Sequence, residues 1–248
     1  MSLWRLEWLR LVRTRRLAAL VGVYVFFGLL GPLTARYMGD ILSRFGGNIT
    51  VIVPDPVPAD GIATFAGDAQ QIGLLVAVVV AAGALTIDAL PEMSIFLRSR
   101  TQSAGRLLRP RLVVSMLAAA GAFLVGLAAA WYETAVLLGG VPVGPLLAGA
   151  GFGILYLGFA VTVVAAVAAR SRSVVVSAAI TLLFLLVLAI PEIVPAVGIW
   201  LPSHLVGALD DLVRGGGITD YLRAAAVTVV AAAGLLAVAV KVQARREV

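Results

Sequence analysis

The stretch Gly144–Ala169, GPLLAGAGFGILYLGFAVTVVAAVAA, decides the fold class of this 248-residue chain. It runs for 26 residues without a single charge. The hydrocarbon core of a bilayer is crossed by about 20 mostly apolar residues in helical form. Because hydrocarbon offers the backbone no hydrogen-bonding partner, such a segment must satisfy its own peptide groups as a helix. The stretch therefore predicts a membrane-spanning helix.

Five further apolar stretches predict five more spans, so that six spans are expected in all. They cover about residues 17–38, 70–90, 112–131, 174–190 and 222–240. Composition agrees, since 61% of the residues are hydrophobic and only 13% are charged, against about 25% charged residues in soluble domains. A water-soluble globular enzyme is thereby excluded. We predict an all-α integral membrane protein with residues 1–248 in a single transmembrane domain.

The basic residues fall mainly on one side of the predicted spans. The N-terminus, the loops after spans 2 and 4, and the C-terminus carry 15 of the 19, and the other loops carry four. Cytoplasmic loops are enriched in Lys and Arg, so we predict a multi-pass cell-membrane protein with both termini in the cytoplasm. The net charge of +6 lies beside apolar runs, which indicates membrane lipid, and no nucleic acid, as a partner.

Residues 2–16 are too polar to span a bilayer, yet they carry a helical pattern. Trp4, Trp8, Leu11 and Val12 stand at i, i+4, i+7 and i+8, which places them on one helical face. We predict an interfacial helix that lies along the inner leaflet before span 1. The alternative is a basic flank that only fixes topology.

Residues 91–111 join spans 2 and 3 on the predicted cytoplasmic side. Pro91 ends span 2 or begins a new helix. Ile95, Phe96 and Leu97 are apolar residues in a segment otherwise rich in Arg and Ser. A short helix that docks into the groove of a partner would use them, whereas the alternative is that they rest on the membrane surface. The pattern alone does not choose between these interpretations.

The predicted outer segment 191–221 interrupts the apolar run that begins at Val174. Apolar residues resume around Trp200, a pattern compatible with a re-entrant hairpin whose backbone is covered by protein or water. Glu192 is the acid embedded in this stretch, and it would either line an outer cavity with His204 nearby or reach the headgroups. The second interpretation is favoured, because acids near the ends of spans cost little.

Sequence motifs for common chemistries are missing. There is no G-x-x-x-x-G-K-[ST] motif, and Lys241 is the only lysine, so the chain cannot hold ATP in a Walker-type loop. His204 is the only histidine, which excludes a two-His metal site within one chain. Spans 3 and 4 carry no charge, and spans 2, 5 and 6 carry charges only near their ends, unlike most ion-coupled transporters. We therefore predict no catalytic, cofactor-binding or metal-ligating residues in this chain.

Together these features resemble the membrane-spanning permease subunits of ABC transporters, of the ABC-2 export type. Such subunits have six spans, cytoplasmic termini, an N-terminal interfacial helix and a coupling helix between spans 2 and 3. The most specific part of the resemblance is FLRSRT at 96–101, followed by RPRL at 109–112, with Glu92 in the place of the family acid. The sequence departs from the family in lacking its Gly-Thr pair and in having Thr101 where proline is usual. The stretches PDP at 54–56 and WLPS at 200–203 are also similar to this family.

The resemblance implies that the permease binds no ATP. A separate cytoplasmic ATPase subunit would hold ATP and Mg²⁺ and dock on the coupling helix, and two permeases, identical or different, would assemble with two ATPases. Phe96 and Leu97 would be the docked side chains, with Arg98 and Arg100 facing an acidic surface. The full set of residues implied in ATPase coupling is Glu92, Phe96, Leu97, Arg98, Ser99 and Arg100.

Two other hypotheses stay open. A lipid-modifying enzyme of the membrane would need polar residues that converge at one depth, and only Glu192, Ser203 and His204 come close. A membrane anchor or assembly factor that holds an ATPase without transporting anything would share every feature above. Only ATP-dependent flux of a substrate separates that hypothesis from an exporter, and the smooth, Ala/Val/Leu-rich spans identify no substrate.

Overall fold

The computed structural model describes residues 3–45, 55–86 and 104–245. Within these ranges the chain is helical and has no strand. Six of its helical segments are long and apolar enough to cross a membrane. The all-α, six-span class that the sequence predicts is therefore found, and it is that of a multi-pass membrane protein.

The helices follow one another in a simple order. They are α1 (Leu3–Arg13), α2 (Arg16–Phe45), α3 (Pro58–Asp68), α4 (Leu74–Leu85), α5 (Ala104–Leu137), α6 (Val143–Ala168), α7 (Val174–Ala189), α8 (Pro195–Gly198), α9 (Ala208–Val213) and α10 (Leu222–Arg245). A π-helical turn, Ala69–Gly73, joins α3 to α4. Turns of 3₁₀ helix at Ile190–Ile193, Pro202–Val206 and Ile218–Tyr221 connect the elements between α7 and α10.

The helical segment that contains the second predicted span begins well before residue 70. The prediction starts it at residue 70, whereas the helical segment runs over Pro58–Leu85. Pro58 lies at the first turn of α3, where a missing N–H costs nothing, and the carboxylate of Asp60 accepts a hydrogen bond from the Val57 N–H. The helix extends beyond the predicted span because Phe65 and its neighbours bury one face of α3 despite the polar residues around them, and the span boundary at residue 70 stays a prediction.

The other five spans are each found as a helix. Their segments are Arg16–Leu42, Leu108–Leu137, Val143–Ala168, Val174–Ile193 and Ile218–Ala244. Residues 104–111, which the sequence assigns to the coupling segment, already belong to α5, and the boundary between that segment and span 3 stays a prediction. The physical reason is that Leu108 and Leu112 are both buried, so the inward face of the helix extends a full turn below the predicted start of the span.

Close contacts between neighbouring helices define the two ends of the bundle. Helix α2 runs antiparallel to α3–α4, since Gly31 lies against Phe65 and Gly83 lies against the Arg16 guanidinium. Helix α5 returns antiparallel to α3–α4, with Thr134 beside Gly61. We call the end that carries α1 and Arg16 the terminal face. The end that carries Gly61 and Thr134 is the opposite face.

The centre of the bundle is formed by α5 and α6, whereas α7 and α10 lie at its edge. In the most apolar stretch of each helix, the share of buried residues is 50% in α5 and 56% in α6, against 22% in α7 and 11% in α10. Helices α2 and α5 cross at glycines, where a Cβ built on Gly126 would meet the Tyr24 carbonyl oxygen at 2.6 Å. Such close approach requires small residues, as is usual between helices in membranes.

Candidate functional site

A buried ion pair joins the N-terminal helix to the base of the bundle. The Nε of Arg111 donates to the Oε1 of Glu7 over 2.8 Å, and both side chains are nearly inaccessible, at 4% and 7% exposed. A second nitrogen of Arg111 donates to the Ala84 carbonyl oxygen over 3.5 Å. Three elements, α1, α4 and α5, therefore meet at a single guanidinium on the terminal face.

The geometry of α1 follows from a sharp turn between it and α2. Arg15 has a φ of 56°, a left-handed conformation that L-residues rarely adopt, and the Thr14 N–H donates to the Arg10 carbonyl across the turn. The four residues that the sequence places on one face of α1 therefore do not share one environment. Leu11 is buried beside Glu7, whereas Trp4, Trp8 and Val12 are exposed. An exposed pair of tryptophans is the arrangement expected of a helix at headgroup level, and the placement of α1 in the interface stays a prediction.

The residues implied in ATPase coupling lie outside the described residues. They are Glu92, Phe96, Leu97, Arg98, Ser99 and Arg100. The described chain ends at Thr86 before them and resumes at Ala104 after them. Leu85, at the end of α4, is fully buried, and the Thr86 hydroxyl donates to the Ser177 hydroxyl at the start of α7 over 3.4 Å. The last described residues before the gap, Leu85 and Thr86, are therefore packed in the bundle, as is Leu108 in α5.

A cavity of about 30 Å³ lies inside the bundle, which is room for about one or two waters. The π-helical turn forms part of its wall and brings Gln70 close to the Tyr156 hydroxyl. The Tyr24 hydroxyl also faces this region, fully buried and without a hydrogen-bond partner among the described residues. Single π-helical turns inside longer helices occur often at functional positions. The cavity is therefore a candidate position for a small polar ligand or an ordered water.

The opposite face is held by an arginine between two acids. Arg214, just after α9, donates to Asp210 over 2.6 Å and to Asp60 at the start of α3 over 2.7 Å. These two hydrogen bonds raise the pKa of Arg214, and the bond to Asp60 contributes more than the bond to Asp210. Because all three side chains are more than a third exposed, the contact positions α9 on α3 more than it stabilises the fold.

The structure brings together the two polar residues that the sequence singles out in segment 191–221. The Nδ1 of His204 lies 3.6 Å from the Oε1 of Glu192, and its ring stacks on Tyr221 with 4.9 Å between centroids. The neighbouring Ser203 hydroxyl is buried and has no hydrogen-bond partner in the described part of the chain. A serine nucleophile needs a base within hydrogen-bond reach, so these residues do not form an activated nucleophile here. Whether Glu192 and His204 line an outer cavity stays a prediction.

Sequence reasoning missed Glu7, Arg111, Tyr24 and Gln70 as residues of interest. A signal for Glu7 was present, because it is the only acid before Asp40 and lies one helical turn from Leu11. Arg111 lies in the RPRL stretch of the resemblance, but nothing in the sequence marked it, among the five arginines of its segment, as a partner of Glu7. Comparison with protein-family models, curated proteins and solved structures gave no match for this chain.

Proposed function

We propose that this chain is the membrane-spanning permease subunit of an ATP-driven exporter, of the ABC-2 type. A separate cytoplasmic ATPase would bind ATP and Mg²⁺ and dock on the segment between α4 and α5. Two permease subunits and two ATPases would form the working unit. The six apolar helical segments, the N-terminal helix and the sequence resemblance around residues 92–112 support this proposal.

The observation that carries the proposal is the cluster around Arg111. Before the undescribed residues 87–103, Thr86 hydrogen-bonds to Ser177, and after them the chain is described again from Ala104 at the start of α5. Seven residues further along α5, Arg111 contacts both α1 and the last turn of α4. A displacement of the docked segment would thus reach three elements through one buried, hydrogen-bonded contact.

Helix α5 is long enough to carry a displacement at Arg111 to the opposite face of the bundle. At 1.5 Å per residue, its 34 residues extend over about 50 Å. Thr134 near its far end contacts α3, and Trp131 donates to the Val141 carbonyl before α6. A tilt of α5 that begins at Arg111 would therefore move contacts on the opposite face. Switching of this kind needs packed elements with two discrete arrangements.

The test is a pull-down of tagged protein in mild detergent, followed by identification of co-purifying proteins and an ATPase assay. In this proposal the double substitution Phe96→Asp/Leu97→Asp reduces recovery of the ATPase, or its coupled hydrolysis, and leaves the permease folded. The matched control is Ile193→Asp/Val194→Asp, which changes two adjacent exposed apolar residues after α7, away from the terminal face. Unchanged complex formation and hydrolysis in the Phe96/Leu97 variant would reject the coupling role.

A second measurement separates an exporter from a non-transporting anchor. The complex is placed in vesicles, and ATP-dependent movement of candidate hydrophobic substrates is followed. Flux supports the exporter, whereas a stable complex with ATPase activity and no flux across a broad substrate set favours the anchor. A purified chain without any ATPase, under conditions shown to preserve other membrane complexes, would bring the lipid-modifying enzyme with Glu192 and His204 forward.

A further inference from the structure

A small pocket on the terminal face is lined by more positive than negative charge. Arg10, Arg16 and Arg111 surround it, and among the described residues Glu7 is the only acid in its wall. Glu7 is committed to Arg111 at 2.8 Å and lies 3.9 Å from Arg10. Arg16 forms no ion pair with any residue that the structure describes. The pocket therefore has a surplus of two positive charges in a partly buried position, where unpaired cations are costly.

An unpartnered hydroxyl lies in the same pocket. Ser115 of α5 is 4% exposed, and its Oγ has no hydrogen-bond partner within the described ranges. Buried hydroxyls are normally paired. The hydroxyl can donate one hydrogen bond, and the guanidinium of Arg16 can donate several. A missing acceptor with negative charge would satisfy both groups.

The size of the pocket limits what that acceptor can be. Its volume is about 10 Å³, about the space of one water oxygen. A whole headgroup does not fit inside, but one oxygen of a group that remains at the mouth does. Phosphate oxygens suit arginine donors in both charge and geometry.

We propose that this pocket binds a phosphate oxygen of an anionic phospholipid. The exposed Trp4 and Trp8 place the neighbouring surface of α1 at the level expected for headgroups. Basic pockets between membrane helices are the usual sites of anionic headgroups. The lipid would be held by Arg16 and Arg10 at the mouth and by Ser115 at the floor, and it would neutralise charge that Glu7 leaves unmatched. This inference does not depend on an ATPase partner.

The experiment counts bound lipid on the full-length protein in mild detergent by native mass spectrometry. Three probes are titrated separately: phosphatidylglycerol, phosphatidylcholine and inorganic phosphate. Phosphatidylglycerol is expected to bind to the wild type in preference to phosphatidylcholine. Loss of one arginine from such a contact is worth about a fivefold weakening, so Arg16→Gln should bind phosphatidylglycerol about five times less tightly, and Ser115→Ala should also bind it less tightly. Arg16→Lys should keep most of the binding.

The matched control is Arg13→Gln, which removes an exposed arginine of α1 that does not line the pocket. It should bind phosphatidylglycerol as the wild type does. Equal weakening in Arg13→Gln and Arg16→Gln, or equal binding of the two lipids by the wild type, would overturn the proposal. Competition by inorganic phosphate at the affinity of the lipid would support a phosphate site but assign it to the free ion.

Discussion

The buried pair Glu7–Arg111 allows a quantitative test of how the terminal face is held together. Replacing Glu7 by Gln removes the negative charge but keeps an amide oxygen that can accept from Arg111, so the guanidinium stays almost fully buried with two neutral acceptors, this amide and the Ala84 carbonyl at 3.5 Å. Breaking a buried pair by removing one partner costs about 3–5 kcal/mol, because an uncompensated charge remains inside. We expect Glu7→Gln to lower the free energy of unfolding by about 3 kcal/mol, the lower end of that range, since the counter-charge is lost but neutral hydrogen-bond acceptors remain.

Two matched variants separate this effect from surface electrostatics. Arg10→Gln removes a more distant contact, 3.9 Å from Glu7 and about one-third exposed, and should cost less than about 1 kcal/mol. The double variant Glu7→Leu/Arg111→Met removes both charges and should recover most of the loss, because apolar replacement of a buried pair is often neutral.

The assay is reversible unfolding in mixed detergent micelles with increasing SDS, followed by tryptophan fluorescence. Trp4 and Trp8 on α1 report on this region directly. If Glu7→Gln lowers the free energy of unfolding by no more than Arg10→Gln does, water or lipid reaches the Arg111 guanidinium. The Glu7–Arg111 pair is then not shielded from solvent. Helix α5 would then not pass a displacement from the docked segment to α1 through Arg111.

Three further outcomes follow from individual contacts. Gly126→Ala should destabilise the bundle by about 1–3 kcal/mol, because the new methyl group meets the Tyr24 carbonyl at 2.6 Å; Gly121→Ala, with open space around it, should be neutral or slightly stabilising in the same SDS titration. Tyr24→Phe removes a buried hydroxyl that has no partner among the described residues, so thermal stability should rise; a fall would show that the hydroxyl holds a water or a ligand in the cavity. Asp60→Asn breaks an exposed pair with Arg214 and should cost less than about 1 kcal/mol, with a difference that shrinks at high salt.

The spans could be predicted from the sequence because each depends on its own composition and length. Helix α3 could not, since its glycines and two acids look like a loop, and only tertiary packing reveals that Phe65 is fully buried. The Glu7–Arg111 contact was also out of reach, because its members are 104 positions apart. Periodicity within one segment describes a face but does not identify what that face meets. The Trp4–Val12 face of α1 shows the same limit, since the structure turns Leu11 inward and Trp4 outward.

The buried contacts also bear on the charge argument for orientation. Every arginine near a span end is counted there as a charge that sets orientation. However, Arg111 is paired inside the bundle and Arg16 lines a pocket. Without these two, the predicted cytoplasmic side still has 13 basic residues against four. On the other side, Arg214 is matched by two carboxylates, which weakens its effect further. The prediction that both termini are cytoplasmic thus does not depend on the arginines that the fold uses for packing. Protease protection of tags at both ends in intact cells tests it, and cleavage of an N-terminal tag from outside would reverse it.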